Sequence, residues 1–392
     1  MTRNVEMVPS RRSEPAAAPV ERGSSRRSGA GPGPGTTDAP TTPRLGWAWP
    51  LRMTNPVRHY DWGSRTALAR LQGRPSSPAP EAELWMGAHP SAPSGVIDVD
   101  GREINLLSAI EADPNGLLGP RCRGRYGARL PFLLKVIAAE QALSVQVHPA
   151  SGQIPEMRRG SAAAASAAGS GRGRPAFADT YGKPEVLVAV EPFEVLAGLR
   201  TAYRAGVLLG LLDIAPLMPM RRALTAAGQL RPGPGRAVTL EALVRLAQWP
   251  QRQRAVLSAA VTDAARSALL DPRIAQDPDT REALDLVYRL AAQHPDDPTV
   301  LAPLLLDVIR LEPGQAVYIP PGVPHCYLEG LAVEAGAASD NIIRAGLTHK
   351  AVDPVTLQRL ADPGAVAGTG LDWVPSGPFE EVLAVPVEEL RL

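Results

Sequence analysis

Leu143-Ser144-Val145-Gln146-Val147-His148-Pro149 is the stretch from which the rest of the chain can be read. Successive side chains of a strand point to opposite faces, so Ser144, Gln146 and His148 share one face and Leu143, Val145 and Val147 the other. The apolar face belongs against a core. The polar face needs partners, because a buried polar group left unpaired costs about 1–3 kcal/mol. Water supplies them if that face is an outer one; a metal ion or a bound substrate supplies them if it is an inner one. Two further segments carry the same kind of signal. Tyr181-Gly182-Lys183-Pro184-Glu185 leads into an apolar run and sets Lys183 and Glu185 two residues apart. Tyr318-Ile319-Pro320-Pro321-Gly322-Val323-Pro324-His325-Cys326-Tyr327 reads as strand, turn and strand, with His325 and Tyr327 on one side and Cys326 on the other, which argues against Cys326 as a ligand.

Outward from these segments the chain changes character twice. Short apolar runs at Leu130–Val136, Ala142–Val147 and Val186–Val190, and again at Leu304–Leu311 and Ala316–Ile319, are punctuated by Gly, Pro and Asp and predict a β-sandwich or barrel. Between them, residues 201–300 are rich in Ala, Leu and Arg, with Leu284, Val287, Leu290 and Ala291 at helical spacing. Asp279, with Glu282 three residues later, is the expected cap of that helix, Thr239 the cap of another, and Pro232-Gly233-Pro234-Gly235 the break between helices. Residues 1–46 hold almost no large apolar side chains and are predicted to be a disordered tail. The Ala/Ser/Gly/Arg stretch 158–174 is predicted to be a flexible surface loop. The expected organisation is a β domain from 47–200 and 301–352, a helical insertion at 201–300, and a separate final segment at 353–392.

Composition excludes several partners. The 392 residues carry 41 basic and 40 acidic side chains, so no global field attracts nucleic acid or an anionic membrane. No apolar run approaches the roughly 20 residues needed to cross a bilayer. Two cysteines, Cys122 and Cys326, make neither a disulfide framework nor a CxxC pattern and fit a cytoplasmic protein. Any phosphate must be held by a few local cations, for no glycine-rich phosphate loop precedes a helix. A barrel of the cupin type brings the three polar segments together, so that Gln146, His148, Glu185 and His325 can converge on one divalent ion. Imidazole and carboxylate suit zinc, and an amide oxygen is a less usual companion.

These segments also carry a family resemblance. With Asn55-Pro56-Val57-Arg58-His59-Tyr60-Asp61-Trp62-Gly63-Ser64, Ala82-Glu83-Leu84-Trp85-Met86-Gly87-Ala88-His89-Pro90, Leu130-Pro131-Phe132-Leu133-Leu134-Lys135-Val136 and Ser339-Asp340-Asn341-Ile342-Ile343-Arg344-Ala345-Gly346-Leu347-Thr348-His349-Lys350, the chain resembles the type I phosphomannose isomerases in order from about residue 50 to 355. The resemblance implies a mainly β fold with an α insertion: a cupin-like, jelly-roll catalytic barrel, the helical insert, and an incomplete second cupin-like domain in 353–392. It implies one zinc ion per chain on Gln146, His148, Glu185 and His325, and an essential cation at Arg344. Glu334 matches a proposed proton carrier. Ser144, Lys135, Lys183 and Lys350 match the lining of the substrate and phosphate pocket, with Glu83 and Trp85 near the sugar and Tyr327 on the ligand face of its strand.

The implied reaction interconverts mannose 6-phosphate and fructose 6-phosphate through an enediolate, which needs a base near C1 and C2 and a positive centre for the oxyanion. Glu334 and Lys183 are rival proton carriers. Against that role, Glu334 can serve as half of a structural ion pair, and Lys135 can be a lone outward-facing residue. His59, His89 and His349 have no companion at ligand spacing, and His294 is expected at the surface. A non-catalytic metal- or sugar-phosphate-binding cupin, and an isomerase of another sugar phosphate, are the competing readings. A monomer or weak homo-oligomer is expected, with a small-molecule sugar phosphate as partner and neither nucleic acid nor membrane.

Overall fold

Two long apolar runs, Glu185–Leu199 (β8) and His325–Ala337 (β11), organise the protein. The computed structural model describes residues 51–98, 100–159, 177–229, 235–387 and 390. The tail expected at 1–46, nearly all of the 158–174 loop and the breaker Pro232–Pro234 lie outside them. Ahead of β8 come β1 (Met53–Thr54), β2 (Val57–Arg58), β3 (Glu83–Met86), β4 (Gly95–Ile97), β5 (Glu103–Asn105), β6 (Phe132–Ala139) and β7 (Val145–Val147). After it come β9 (Leu306–Leu311) and β10 (Ala316–Ile319), then, beyond β11, β12 (Ile343–Gly346) and β13 (Gly368–Thr369).

All pairings are antiparallel, and the ten-stranded sheet runs β13-β10-β8-β11-β6-β3-β2, with β9 on β8 and β7 and β12 attached through β11. Both long strands change neighbours along their length. The C-terminal half of β11 pairs with β6 and its first residue with β7, while β8 passes from β10 to β9. The change occurs at bulges between Tyr327 and Glu329 and between Gly330 and Ala332, which bend a strand from one layer into another. Gly330 sits there at φ 126°, where a Cβ would lie 2.3 Å from the Pro192 carbonyl oxygen; only glycine fits.

The two largest bodies of the core lie on opposite faces of these strands. Leu187, Phe193, Val195, Val317, Ile319 and Tyr327 fill the inside of the sheet. Val145, Val147, Leu196, Cys326 and Ile343 face the other way, into the helices of the insertion. The alternation of β7 is thereby realised: its valines are fully buried among helices and Gln146 faces inward. The insertion runs from the helix Ala202–Gly210 to Pro278–Gln293 and closes with a 3-10 turn, Pro298–Leu304, so the strand expected from Leu304 begins at Leu306.

Several local expectations are corrected. The region before residue 200 also holds helices, Ala67–Leu71, Leu106–Ala112 and Pro114–Tyr126. The last two are started by Asn105 and Asp113, whose side chains accept from the backbone N–H of Ser108 and Gly116. Glycines 116, 119 and 124 and Pro120 interrupt the apolar period of the last one, which hid it. Asp277, not Asp279, caps Pro278–Gln293, accepting from Thr280 N–H at 3.1 Å. Asp279 instead pairs with Arg200 at 3.0 Å and Arg204 at 2.6 Å, fastening that helix to the end of β8. Thr239 is interior to the helix Gly235–Ala247, and its hydroxyl donates to the Arg200 carbonyl. In the final segment, β13 hydrogen-bonds to β10 of the main sheet, followed by a hairpin of β14 (Trp373–Gly377) and β15 (Glu380–Leu383). Among the described residues no helix is long and apolar enough to cross a membrane.

Candidate active site

Strand register assembles the site. Gln146 on β7 lies opposite His325 on β11 and Arg344 on β12. Two strands away Glu185 opens β8, and His148 follows the end of β7. Among the described residues His148, Glu185 and His325 form the cluster able to hold a metal ion, their ligand atoms within 4.8 Å of one another and all three side chains buried. His148 Nε2 is 3.2 Å from Glu185 Oε1 and His325 Nε2 3.3 Å from Glu185 Oε2.

The far side of each imidazole decides what this cluster is. His148 Nδ1 lies 2.8 Å from the Asn341 carbonyl oxygen, and His325 Nδ1 2.9 Å from that of Val323. A carbonyl can only accept, so the proton of each neutral ring sits on Nδ1 and the lone pair of Nε2 faces the carboxylate. Lone pair against carboxylate oxygen at such distances is repulsive unless a cation lies between them, and among the described residues His148 Nε2 has no hydrogen-bond partner. Burial, helped by the Lys183 charge, pulls His148 down to about 4, which keeps it neutral at pH 7. Burial opposes ionisation of Glu185, but the Lys183 charge outweighs it and holds the carboxyl well below its usual range. Gln146 places an amide 3.2 Å from His325 Nε2. Turning that amide about its last bond, an assignment fixed by hydrogen bonding alone, brings its oxygen to the same position. Two imidazoles, a carboxylate and an amide oxygen fit a zinc ion.

Beside this cluster lies a cavity of about 370 Å³. Its lining includes Glu83, Lys135, Ser144, Gln146, Lys183, Glu185, Tyr327, Glu334, Arg344 and Lys350, so ten of the thirteen expected site residues share one wall. His148 and His325 sit behind Glu185 and Gln146. Trp85 does not line the cavity: its Nε1 donates to Glu83 Oε2 at 2.5 Å, and its ring lies under Lys135 Nζ, 5.4 Å away, so it supports the wall from behind.

The lysines fall into two kinds. Lys135 and Glu334 are direct cross-strand neighbours on β6 and β11, and their side chains pair at 3.0 Å. Burial would lower Lys135, but Glu334, Glu83 and Glu185 hold it above the usual lysine range. It is therefore neither outward-facing nor free for an anion. Lys183 Nζ is 2.7 Å from Glu185 Oε1 and equally buried. Lys350, by contrast, is exposed, 4.9 Å from the Tyr60 ring centre, and Arg344 is half-buried with no ion-pair partner among the described residues. The Tyr327 hydroxyl donates to Glu185 Oε2 at 3.2 Å, and burial next to Glu185 and Glu334 drives its pKa well upward. Cys326 Sγ points away, donating to the Leu143 carbonyl.

Sequence reasoning missed part of the wall. His59, Tyr60, Gln293, His294 and His349 also line the cavity. His294, expected at the surface, ends the helix Pro278–Gln293 beside His349, the ring centres 6.4 Å apart. Gln293 accepts from Ala142 N–H at 3.2 Å, a contact across 151 positions that no local pattern signals.

Fold and site together define a mainly β protein with packed helices that carries, beside a cavity, a buried His/Glu cluster able to hold a metal ion. Residues 51–202 match the family model described as phosphomannose isomerase type I, catalytic domain. The mannose-6-phosphate isomerase of Salmonella typhimurium is 33% identical over 343 residues, covering 86% of this chain and 78% of that protein. A crystal structure of a phosphomannose isomerase variant from the same organism superposes with a TM-score of 0.71 at 30% identity, over 86% of this chain and 81% of the other. A mannose 6-phosphate isomerase bound with zinc and yttrium does so with a TM-score of 0.68 at 31% identity over the same shares. The chain belongs to the type I phosphomannose isomerase family.

Proposed function

We propose that this chain is a zinc-dependent aldose–ketose isomerase interconverting D-mannose 6-phosphate and D-fructose 6-phosphate. The observation that carries this reading is the pair of buried imidazoles whose Nε2 atoms face Glu185 at 3.2 and 3.3 Å, beside a cavity that also holds a carboxylate and two cations with no carboxylate partner among the described residues. Gln146, His148, Glu185 and His325 hold one zinc ion. When bound, the ion supplies positive charge where the substrate oxygens become anionic.

The remaining roles follow from which charges are already committed. Arg344, lacking a carboxylate partner among the described residues, is the cation offered to the enediolate oxygen. Glu334 is the proton carrier between C2 and C1, with Lys135 fixing its carboxylate in place. Lys183, tied to Glu185 at 2.7 Å, would have to abandon that ion pair to act as a base, which favours Glu334 over it. Lys183 then positions Glu185 and donates to substrate hydroxyls. Lys350 and Ser144 take the phosphate, with Lys350 as the point charge. Glu83, held by Trp85, and Tyr327 orient the sugar.

The fold that delivers these groups is read as a cupin-like jelly-roll barrel built from 47–200 and 301–352, interrupted by the helical insertion at 201–300 and followed by a further segment at 353–392. Two buried free thiols fit a cytoplasmic enzyme. A purely binding cupin would not need Glu334 and Arg344 facing the same cavity as the ligands, and the family membership points the same way. A coupled assay on mannose 6-phosphate decides: turnover is lost on chelation and restored by zinc. Tight binding of the sugar phosphate without turnover in zinc would refute the isomerase reading.

A further inference from the structure

The Ser339-Asp340-Asn341 strap is a motif to which the reaction assigns nothing, yet it touches His148 directly and also the 178–181 segment that leads to Glu185. The Asn341 carbonyl oxygen receives the proton of His148 Nδ1 at 2.8 Å, so the backbone of this residue sets the direction of one ligand. Its side chain, 1% exposed at the residue level, reaches the other way. Asn341 Oδ1 accepts from Ala178 N–H at 2.9 Å, and Asn341 Nδ2 donates to Asp179 Oδ1 at 3.0 Å and to the Tyr181 carbonyl at 2.9 Å. Asp179 closes the clasp: its carboxylate also accepts from Ser339 Oγ and from Asp340 N–H, both at 3.0 Å.

The clasped segment leads straight into Gly182, Lys183, Pro184 and Glu185. Its other side is pinned next to His148, Lys183 N–H donating to the Pro149 carbonyl at 3.2 Å and Gly182 N–H to Ser151 Oγ at 2.8 Å. A Cβ at Gly182 would lie 2.6 Å from the Ser151 nitrogen, so the two segments run in contact. One asparagine thus couples the bearing of His148 to the placement of the loop that presents Glu185, its amide bonding the backbone of Ala178 and Tyr181.

We propose that Asn341, acting with Asp179, is the positioning residue that registers His148 against Glu185 and thereby sets the affinity of the site for its metal. The proposal rests on the zinc reading of that site. Groups that orient metal ligands from behind are worth about 10–100-fold in metal affinity. Asn341→Ala keeps the backbone carbonyl but releases the 178–181 segment.

The test is zinc affinity of the purified full chain, measured by competition against a chromophoric zinc chelator, alongside thermal unfolding of the metal-stripped protein. Asn341→Ala is expected to bind zinc about 10–100-fold more weakly, with turnover regained as zinc is raised. Loss of stability in the stripped protein with unaltered zinc affinity would mean ordinary packing and would overturn the proposal. Should Asn341→Ala not fold, Asp179→Asn, which keeps the shape and removes the charge that Ser339 and Asp340 address, is expected to weaken zinc by at least about threefold by the same second-sphere effect; wild-type affinity there overturns the proposal as well. Wild-type protein that binds no zinc at all would instead sink the metal reading itself.

Discussion

The floor and the rim of the cavity are built on opposite principles. On the floor every charge is answered: Lys135 by Glu334, Lys183 by Glu185, and each imidazole by a backbone carbonyl behind it. All of these groups are buried. At the rim Arg344 and Lys350 have no carboxylate partner among the described residues, and both are pushed downward by partial burial, Lys350 also by the Arg344 charge. Buried ion pairs seldom stabilise a fold relative to apolar packing. The floor is therefore a preorganised arrangement, whereas two neighbouring unpaired cations at the rim repel each other until an anion arrives.

Substitutions at the two levels should fail in different ways. The largest effect is expected on the floor: His325→Ala or Glu185→Ala removes a proposed ligand, and with it several kcal/mol of charge stabilisation, so turnover should fall about a thousandfold or more. Residual activity near wild type at stoichiometric zinc would break the distinction. Arg344→Ala comes next, with kcat down about 100–1,000-fold as for loss of an oxyanion contact, while zinc content measured by atomic absorption stays at wild type. Lys350→Ala should act on binding, raising KM for mannose 6-phosphate about tenfold with little change in kcat, as expected for one charge-assisted contact. A kcat effect larger than the KM effect would move Lys350 from rim to chemistry.

The smallest effect concerns His294. Burial lowers its pKa, with His349 adding to the shift and Asp297 opposing it. The unfolded chain takes up a proton at about 6.5 while the folded protein does so only at lower pH, so folding stability falls as pH drops through that window. Urea unfolding at pH 7.5 and 5.5 should show a smaller loss in His294→Phe than in wild type. An equal loss would place the titration elsewhere.

Much of the floor was legible because it is written in alternation. Ser144, Gln146 and His148 share a face by strand geometry alone, and Cys326 is turned away from His325 by the same rule. The cross-strand partnership of Lys135 with Glu334 was not legible, since register between strands 200 residues apart is set by the sheet as a whole. The helix after Asp113 was hidden by glycines, and the cap of Pro278–Gln293 was misplaced by two residues because Asp277 and Asp279 offer the same chemistry to the sequence reader. Tertiary demand separated them: Asp279 was claimed by Arg200 and Arg204. His294 and Gln293 escaped because a helix end reached the cavity from an insertion whose expected role was packing.

β7 has a consequence for how this protein tolerates change. Its three residues form a partition one side chain thick, with Val145 and Val147 wholly enclosed by the insertion and Gln146 between them facing the cavity. A shortened or loosened helical layer would let that partition shift, and Gln146, a ligand on the proposed reading, would shift with it. Chelate strength and helix packing are two readings of the same wall.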